Sequence, residues 1–181
     1  MVQTNLPDWR QKLKSSQHKE GKSPLKRWIQ LSTISKQNKP RVRTVVFRGW
    51  ISANSMIIYT DSRSEKIKDI TINNNVELLW LFLKSKSQYR MRGKANFVKD
   101  NIHYWNKLTL DSRKTWFWPD PGEILDQNFP NINLENLNKP VNFIVLEIKI
   151  DSVELLKLEN PVHKRYRWEI DKDWKCEELN P

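Results

Sequence analysis

Pro40-Arg-Val-Arg-Thr-Val-Val-Phe-Arg-Gly-Trp50 runs into Ser52-Ala-Asn-Ser55 and returns through Met56-Ile-Ile-Tyr-Thr60. Valine, isoleucine and aromatic residues suit a pleated, half-buried surface, and the small polar residues between the two runs supply a turn, so the stretch predicts a β-hairpin. Arg41, Arg43 and Arg48 stand among the apolar residues instead of forming a separate basic tail. A second segment, Gln88-Tyr-Arg90-Met-Arg92-Gly-Lys94, has the same texture, and spacing by two places Gln88, Arg90 and Arg92 on one strand face. Basic groups set into strands describe a lined site more than a solvated surface.

Outward from the hairpin the chain alternates short strands with short helices. Upstream, Leu6 to about Glu20 predicts an amphipathic helix with Trp9 and Leu13 on one side, broken at Gly21-Lys-Ser-Pro24. Arg27 to Ile34 fits a strand or a short helix. Downstream, Ser62 and Glu65 fit a capping box for a helix from about Glu65 to Asn73. Val76 to Leu83 reads as a strand buried on both sides, and Gln88 to Val98 as its antiparallel partner. Asn101 to about Leu110 predicts one helix carrying Tyr104, Trp105 and Leu108. Residues 111–140 are rich in proline and asparagine and read as an irregular excursion. Phe143 to Ile150, Val153 to Leu158, Lys164 to Glu169 and Trp174 to Leu179 are four further strand candidates. The sum is an α+β chain, mostly antiparallel, with a β-barrel or sandwich at its centre. We read residues 1–181 as one domain, with 1–22 as an N-terminal helical extension.

Composition narrows the chemistry. The chain has 181 residues, 38% hydrophobic, with nine tryptophans able to supply large buried surfaces. Its net charge of +11 attracts phosphate in any form. The four glycines, at 21, 49, 93 and 122, are scattered, so neither a Walker loop nor a GxGxxG turn exists. Any bound phosphate must be held by side chains. The three histidines and single cysteine lack ligand spacing, so no metal site is expected. No GxSxG elbow is present. The longest apolar run, Leu78 to Leu83, is far below the roughly 20 residues that span a bilayer. Without a visible signal peptide or a possible internal disulfide, a cytoplasmic protein is expected.

Four segments taken together resemble the FMN-binding split β-barrel of the pyridoxamine 5'-phosphate oxidases. They are Pro40 to Gly49, Tyr59-Thr-Asp-Ser-Arg-Ser-Glu-Lys66, Gln88 to Ala95, and the tail from His163-Lys-Arg165 through Trp174 to the terminal Leu-Asn-Pro181. They occur in family order over about residues 25–181. Trp116-Phe-Trp-Pro-Asp-Pro-Gly122 looks like a cyanobacterial-type, oxidase-related subgroup of it. The resemblance implies a Greek-key split barrel with flanking helices, working as a homodimer with FMN at the subunit interface. It implies that Arg43 and Lys66 contact the FMN phosphate, with Arg63 or Ser64 nearby. Thr44, Val45, Val46 and Phe47 would lie along the flavin and ribityl chain, with Arg48 at the far end. Tyr59 and Thr60 would sit beside the ribityl phosphate and Gln88 at the pyrimidine edge, while Arg165 would come from the other subunit. Arg48, Tyr104, Ser112 and His163 would face a small-molecule substrate.

The resemblance also has gaps. Glu65 stands where the family often has an arginine, so Arg63 or another cation must serve the phosphate. Leu108 interrupts a Tyr-x-x-x-Arg-x-x-x-Ser pattern that Tyr104 and Ser112 otherwise fit, and Pro161 replaces an arginine two residues before His163. The implied function is an FMN-dependent oxidoreductase that passes a hydride from its substrate to flavin N5 and then electrons to O₂. The alternatives are a flavin binder or reductase with a different substrate, and a nucleic-acid-binding β-barrel, for which the charge and the aromatics count. Strict alternation places Arg43 and Arg48 on opposite faces of one strand, so that strand must bend, or its end must lie along the ligand.

Overall fold

A computed structural model describes residues 6–125 and 137–181; the remainder of the expected extension and excursion lies outside the described residues. Its strands are β1 (Trp28–Ile34), β2 (Pro40–Trp50), β3 (Ser55–Asp61), β4 (Asn75–Phe82), β5 (Ser87–Phe97), β6 (Phe143–Lys157), β7 (Lys164–Glu169) and β8 (Glu177–Leu179). Helices are α1 (Asp8–Lys19), α2 (Glu65–Ile72), α3 (Ile102–Asn106) and α4 (Leu110–Lys114). Antiparallel pairing runs β3-β2-β1-β4-β5-β6-β7-β8, and a further β3–β6 pairing closes the first six strands into a barrel. This is the split barrel expected from the sequence.

The split has a local cause. The stretch from Phe143 to Lys157 is one strand and not the two expected, because Asp151 is an extra residue inserted opposite the Arg92–Gly93 step of β5. Such a bulge turns a strand without ending it. Before it, β6 pairs with β3 and closes the barrel; after it, β6 keeps its pairing with β5 and takes β7 as its other neighbour. Gly93 sits at the step. A Cβ there would lie 2.1 Å from the Lys149 carbonyl oxygen, so only glycine lets the two backbones approach.

Inward-facing residues Ile29, Leu31, Leu78, Trp80, Met91, Ile148 and Val153 fill the barrel. Trp9 of α1 covers one end, packed on Trp50 and Trp174 at ring separations of 5.7 and 5.6 Å. A second cluster, Ile57, Trp105, Phe143 and Val145, lies on the outer face of β3 and β6. The expected helix over 101–110 is instead two short ones, because Thr109 starts α4 by accepting a hydrogen bond from the Ser112 amide. Strand β4 alternates inward and outward and is not buried on both faces. The outward face of β2, β1 and β4 carries exposed Val42, Trp28 and Leu81 beside half-buried Val46 and Leu79. The N-cap of α2 is Ser64 and not Ser62, and its side chain makes no capping bond.

Candidate functional site

The mouth of the barrel beside α2 collects four of the expected ligand residues. Thr60 is the penultimate residue of β3 and Ser64 is the N-cap of α2, both buried. Lys66, in the first turn of α2, folds back and donates to Thr60 Oγ1 at 2.9 Å and to Ser64 Oγ at 2.8 Å. A lysine on a polar helix face is ordinarily solvated; here its ammonium is drawn into the protein. Burial, and then the nearby charge of Arg43, hold it below the ordinary lysine pKa, against the opposing effect of Asp61. Lys66 forms no ion pair among the described residues. An ammonium has three donors; the two hydroxyls take two of them.

Arg43 reaches the same mouth from β2. Its Nη1 donates to Thr33 Oγ1 at 2.6 Å and to the Leu31 carbonyl at 3.2 Å, and Nη2 lies 3.6 Å from the Asp69 carboxylate. Arg41 pairs with Glu65 at 2.7 Å, so the glutamate is matched by a cation from the strand. Arg63 is directed elsewhere. Its guanidinium binds Asp61 (Nη2 at 2.7 Å), Asp120 and the Trp118 carbonyl, fastening the Trp116–Pro121 segment to the end of β3. Asn142 donates to Asp61 at 2.8 Å and to the Trp116 carbonyl at 2.9 Å in the same clasp. Despite burial, these bonds hold the Asp61 carboxyl below the usual range, and its charge is answered by Arg63.

Along β2, register fixes which side chains can line a ligand. Val45 and Phe47 face the interior opposite Ile29 and Ile58, whereas Thr44 and Val46 face outward. A bulge between Phe47 and Gly49 then sets Arg48 over the Tyr59 ring at 5.1 Å. The strand's register is therefore irregular at Arg48. Arg48 and Tyr59 line a cleft of about 470 Å³ with Phe47, Gln17, Lys26, Arg27, Lys107 and Leu108. The four cations in that lining face no carboxylate within it. The Tyr104 ring packs beside Tyr59, tilted 55° to it with centroids 5.8 Å apart.

The remaining expected residues lie apart. Gln88 and Arg165 flank Leu156 across β5, β6 and β7, and line a small cleft of about 70 Å³ with Arg90 and Glu154. Arg165 Nε donates to Glu154 of its own chain at 3.2 Å. This cleft shares no lining residue with the one at Arg48. Ser112 is bonded to Thr109 at 3.0 Å within the α4 cap, and His163 is exposed, with Nδ1 3.1 Å from the Glu159 carbonyl oxygen. No group of three or more potential metal ligands occurs among the described residues, and no helix among them is long and apolar enough to cross a membrane.

The sequence model of the family described as pyridoxamine 5'-phosphate oxidase, FMN-binding domain, matches residues 6–99. The chain belongs to this family. The match takes in α1 and the whole mouth formed by Arg43, Thr60, Ser64 and Lys66. Over nearly their full lengths, 98% of this chain and 99% of the relative, it is 26% identical to pyridoxine/pyridoxamine 5'-phosphate oxidase 2 of Arabidopsis thaliana. Its fold matches the pyridoxamine 5'-phosphate oxidase-related, FMN binding protein of Nostoc punctiforme with a TM-score of 0.89 and 27% identity, covering 98% and 100% of the two chains. PhzG from Burkholderia lata shares the fold at a TM-score of 0.79 and 18% identity, over 96% and 90%. Sequence reasoning missed Thr33 and Asp69 behind Arg43, and Lys26, Arg27 and Lys107 around Arg48. Asp69 stands three residues after Lys66 in a helix, a spacing that shares a face and was readable; the cations of the cleft meet only through tertiary structure.

Proposed function

We propose that this member of the pyridoxamine 5'-phosphate oxidase family binds FMN with its phosphate at Arg43, Thr60, Ser64 and Lys66. The observation carrying this reading is the half-buried Lys66 ammonium, which is held by two neutral hydroxyls, has no ion pair among the described residues, and lies near the guanidinium of Arg43. Partly desolvated like charges repel, and a phosphate monoester, close to dianionic at neutral pH, would supply Lys66 with the ion-pair partner it lacks among the described residues. The donor set therefore fits the group. Thr44 and Val46, with the β2 backbone, would face the ribityl chain, and Arg48 would mark the ring end. Arg63, committed to Asp61 and Asp120, would support the phosphate end only by fixing the neighbouring segment.

Gln88 and Arg165 line a separate cleft of this chain, and the apolar outer face at Trp28, Val42 and Leu81 supports a second copy seated there. A homodimer would bring one chain's Gln88 and Arg165 to the partner's flavin. When bound, FMN would supply two-electron redox chemistry, accepting a hydride at N5 and passing electrons to O₂. The protein's own part is to orient the substrate: the cations around Arg48 would hold an anionic small molecule, with Tyr59 and Tyr104 forming an aromatic wall. Pyridoxamine 5'-phosphate is the first substrate to test. A second reading, a flavin protein with another substrate, is favoured by Leu108 and by the break that separates Tyr104 from Ser112 onto two helices. The nucleic-acid alternative draws less support, because Arg41, Arg90, Arg92, Arg165 and Arg167 are each paired with carboxylates and do not form an open basic stripe.

Identifying the chromophore released from purified protein tests the cofactor, and H₂O₂ release on adding pyridoxamine 5'-phosphate to flavin-loaded protein tests the oxidase. A flavin-loaded protein without turnover would leave the second reading. A colourless protein that ignores FMN would remove both.

A further inference from the structure

We propose that Asp69 is a positioning residue for phosphate recognition, setting Arg43 in place without touching the ligand; the inference rests on the FMN reading above. Asp69 is 2% exposed, on the inner face of α2 one turn after Lys66. Its Oδ2 accepts from Thr33 Oγ1 at 2.8 Å and lies 3.6 Å from Arg43 Nη2, while Oδ1 meets Arg41 Nη1 at 3.3 Å. Thr33 is nearly buried on the inward face of β1, and its hydroxyl in turn accepts from Arg43 Nη1 at 2.6 Å. The chain of contacts Asp69–Thr33–Arg43, with the Leu31 carbonyl, takes up Nη1 and part of Nη2. It leaves the Nε–H without a hydrogen bond among the described residues. Nε and the adjoining Nη2 proton form one edge of the guanidinium, the edge suited to two oxygens of a phosphate. A long arginine held at three points loses little further freedom when a ligand arrives. Lys66 comes from the same helix as Asp69, so one short element sets both cations.

The sign of the effect separates positioning from bulk charge. Asp69 is an anion near an anionic ligand, so as a charge alone it opposes FMN, and neutralising it would tighten binding. As a positioning residue it favours FMN, and neutralising it loosens binding. Riboflavin, which lacks the phosphate, serves as the internal control for anything that merely disturbs the fold.

The experiment measures FMN and riboflavin affinity by flavin fluorescence for the full-length wild type, Asp69→Asn and Thr33→Val. Asp69→Asn should weaken FMN by about tenfold, the scale of a lost hydrogen bond to a charged group, with riboflavin unchanged. Thr33→Val, which keeps the carboxylate and the side-chain shape, should shift FMN in the same direction by a smaller factor. It carries the test alone if Asp69→Asn does not fold by circular dichroism. Tighter or unchanged FMN binding, or equal loss for both flavins, overturns the proposal. Wild-type protein that binds no FMN would instead defeat the flavin reading, and this inference with it.

Discussion

The Lys66 ammonium donates to the Thr60 hydroxyl across 2.9 Å, joining the first turn of α2 to the last residues of β3. Through this contact a helix that would otherwise present Lys66 to water turns it toward the barrel mouth. The partners are neutral oxygens, which orient the cation without cancelling its charge. Arg43 arrives from β2, held from behind by Thr33. The result is a positive mouth assembled from three elements and no glycine turn.

Replacing Arg43 by alanine should reduce FMN affinity by about 2–3 kcal/mol, the range of a charge-assisted hydrogen bond and more where two are lost. The chain should stay folded, because Asp69 keeps Arg41 and Thr33 as partners. Flavin absorbance per chain, with sedimentation of the same sample, reads both. A variant that purifies with full FMN occupancy would displace Arg43 from the site.

Lys66 gives the site a pH dependence. Because its folded pKa is depressed, the partly buried ammonium costs the unliganded protein stability below that pKa, and the cost is relieved as pH rises through it. FMN acts in the opposite sense, since its phosphate is dianionic above about pH 7 and favours the charged lysine. FMN affinity should therefore hold near neutrality and fall as pH climbs through the depressed Lys66 value. Lys66→Arg, which stays charged, should flatten that fall in fluorescence titrations across alkaline pH.

Gly93→Ala tests the architecture alone. The new methyl would meet the Lys149 carbonyl, part of a backbone that cannot move without disturbing the bulge at Asp151. A loss of about 2–4 kcal/mol is expected by chemical denaturation, at the upper end for overpacking. A neutral result would mean that β5 and β6 separate more easily than their pairing implies.

Trp28→Glu or Leu81→Glu should produce a monomer in sedimentation experiments. Both residues face outward on neighbouring strands, exposed at 47% and 38%, and a charge there opposes burial against a second copy. Flavin binding should weaken with dissociation, because the partner would contribute Gln88 and Arg165. Wild-type protein sedimenting as a monomer would refute the dimer.

Much of the fold was legible because it rests on local signals. Hairpin composition gave β2 and β3, and spacing by two gave one face of β5, whereas the segment of β1 was left open between strand and helix. The resemblance supplied closure of the barrel, which composition could not separate from a sandwich. What escaped depended on distant contacts. The break between Ile150 and Val153 looked like a strand end, although pairing on both sides of Asp151 carries the strand through it. The helix expected over 101–110 divides because Thr109 caps a new one. At the site, Arg43 and Lys66 were named from the family pattern, but Asp69 and Thr33 were passed over. The helical spacing of Asp69 from Lys66 was readable, but a lone threonine has no distinguishing neighbours in sequence, and only tertiary structure sets the two behind an arginine.

Paired titration of FMN and riboflavin into wild-type and Lys66→Met protein tests the phosphate mouth most directly. Wild type should bind FMN at least about tenfold more tightly than riboflavin, and Lys66→Met should erase most of that difference while leaving riboflavin affinity in place. Equal affinity of wild type for the two flavins, or a preference that survives the loss of Lys66, would contradict it.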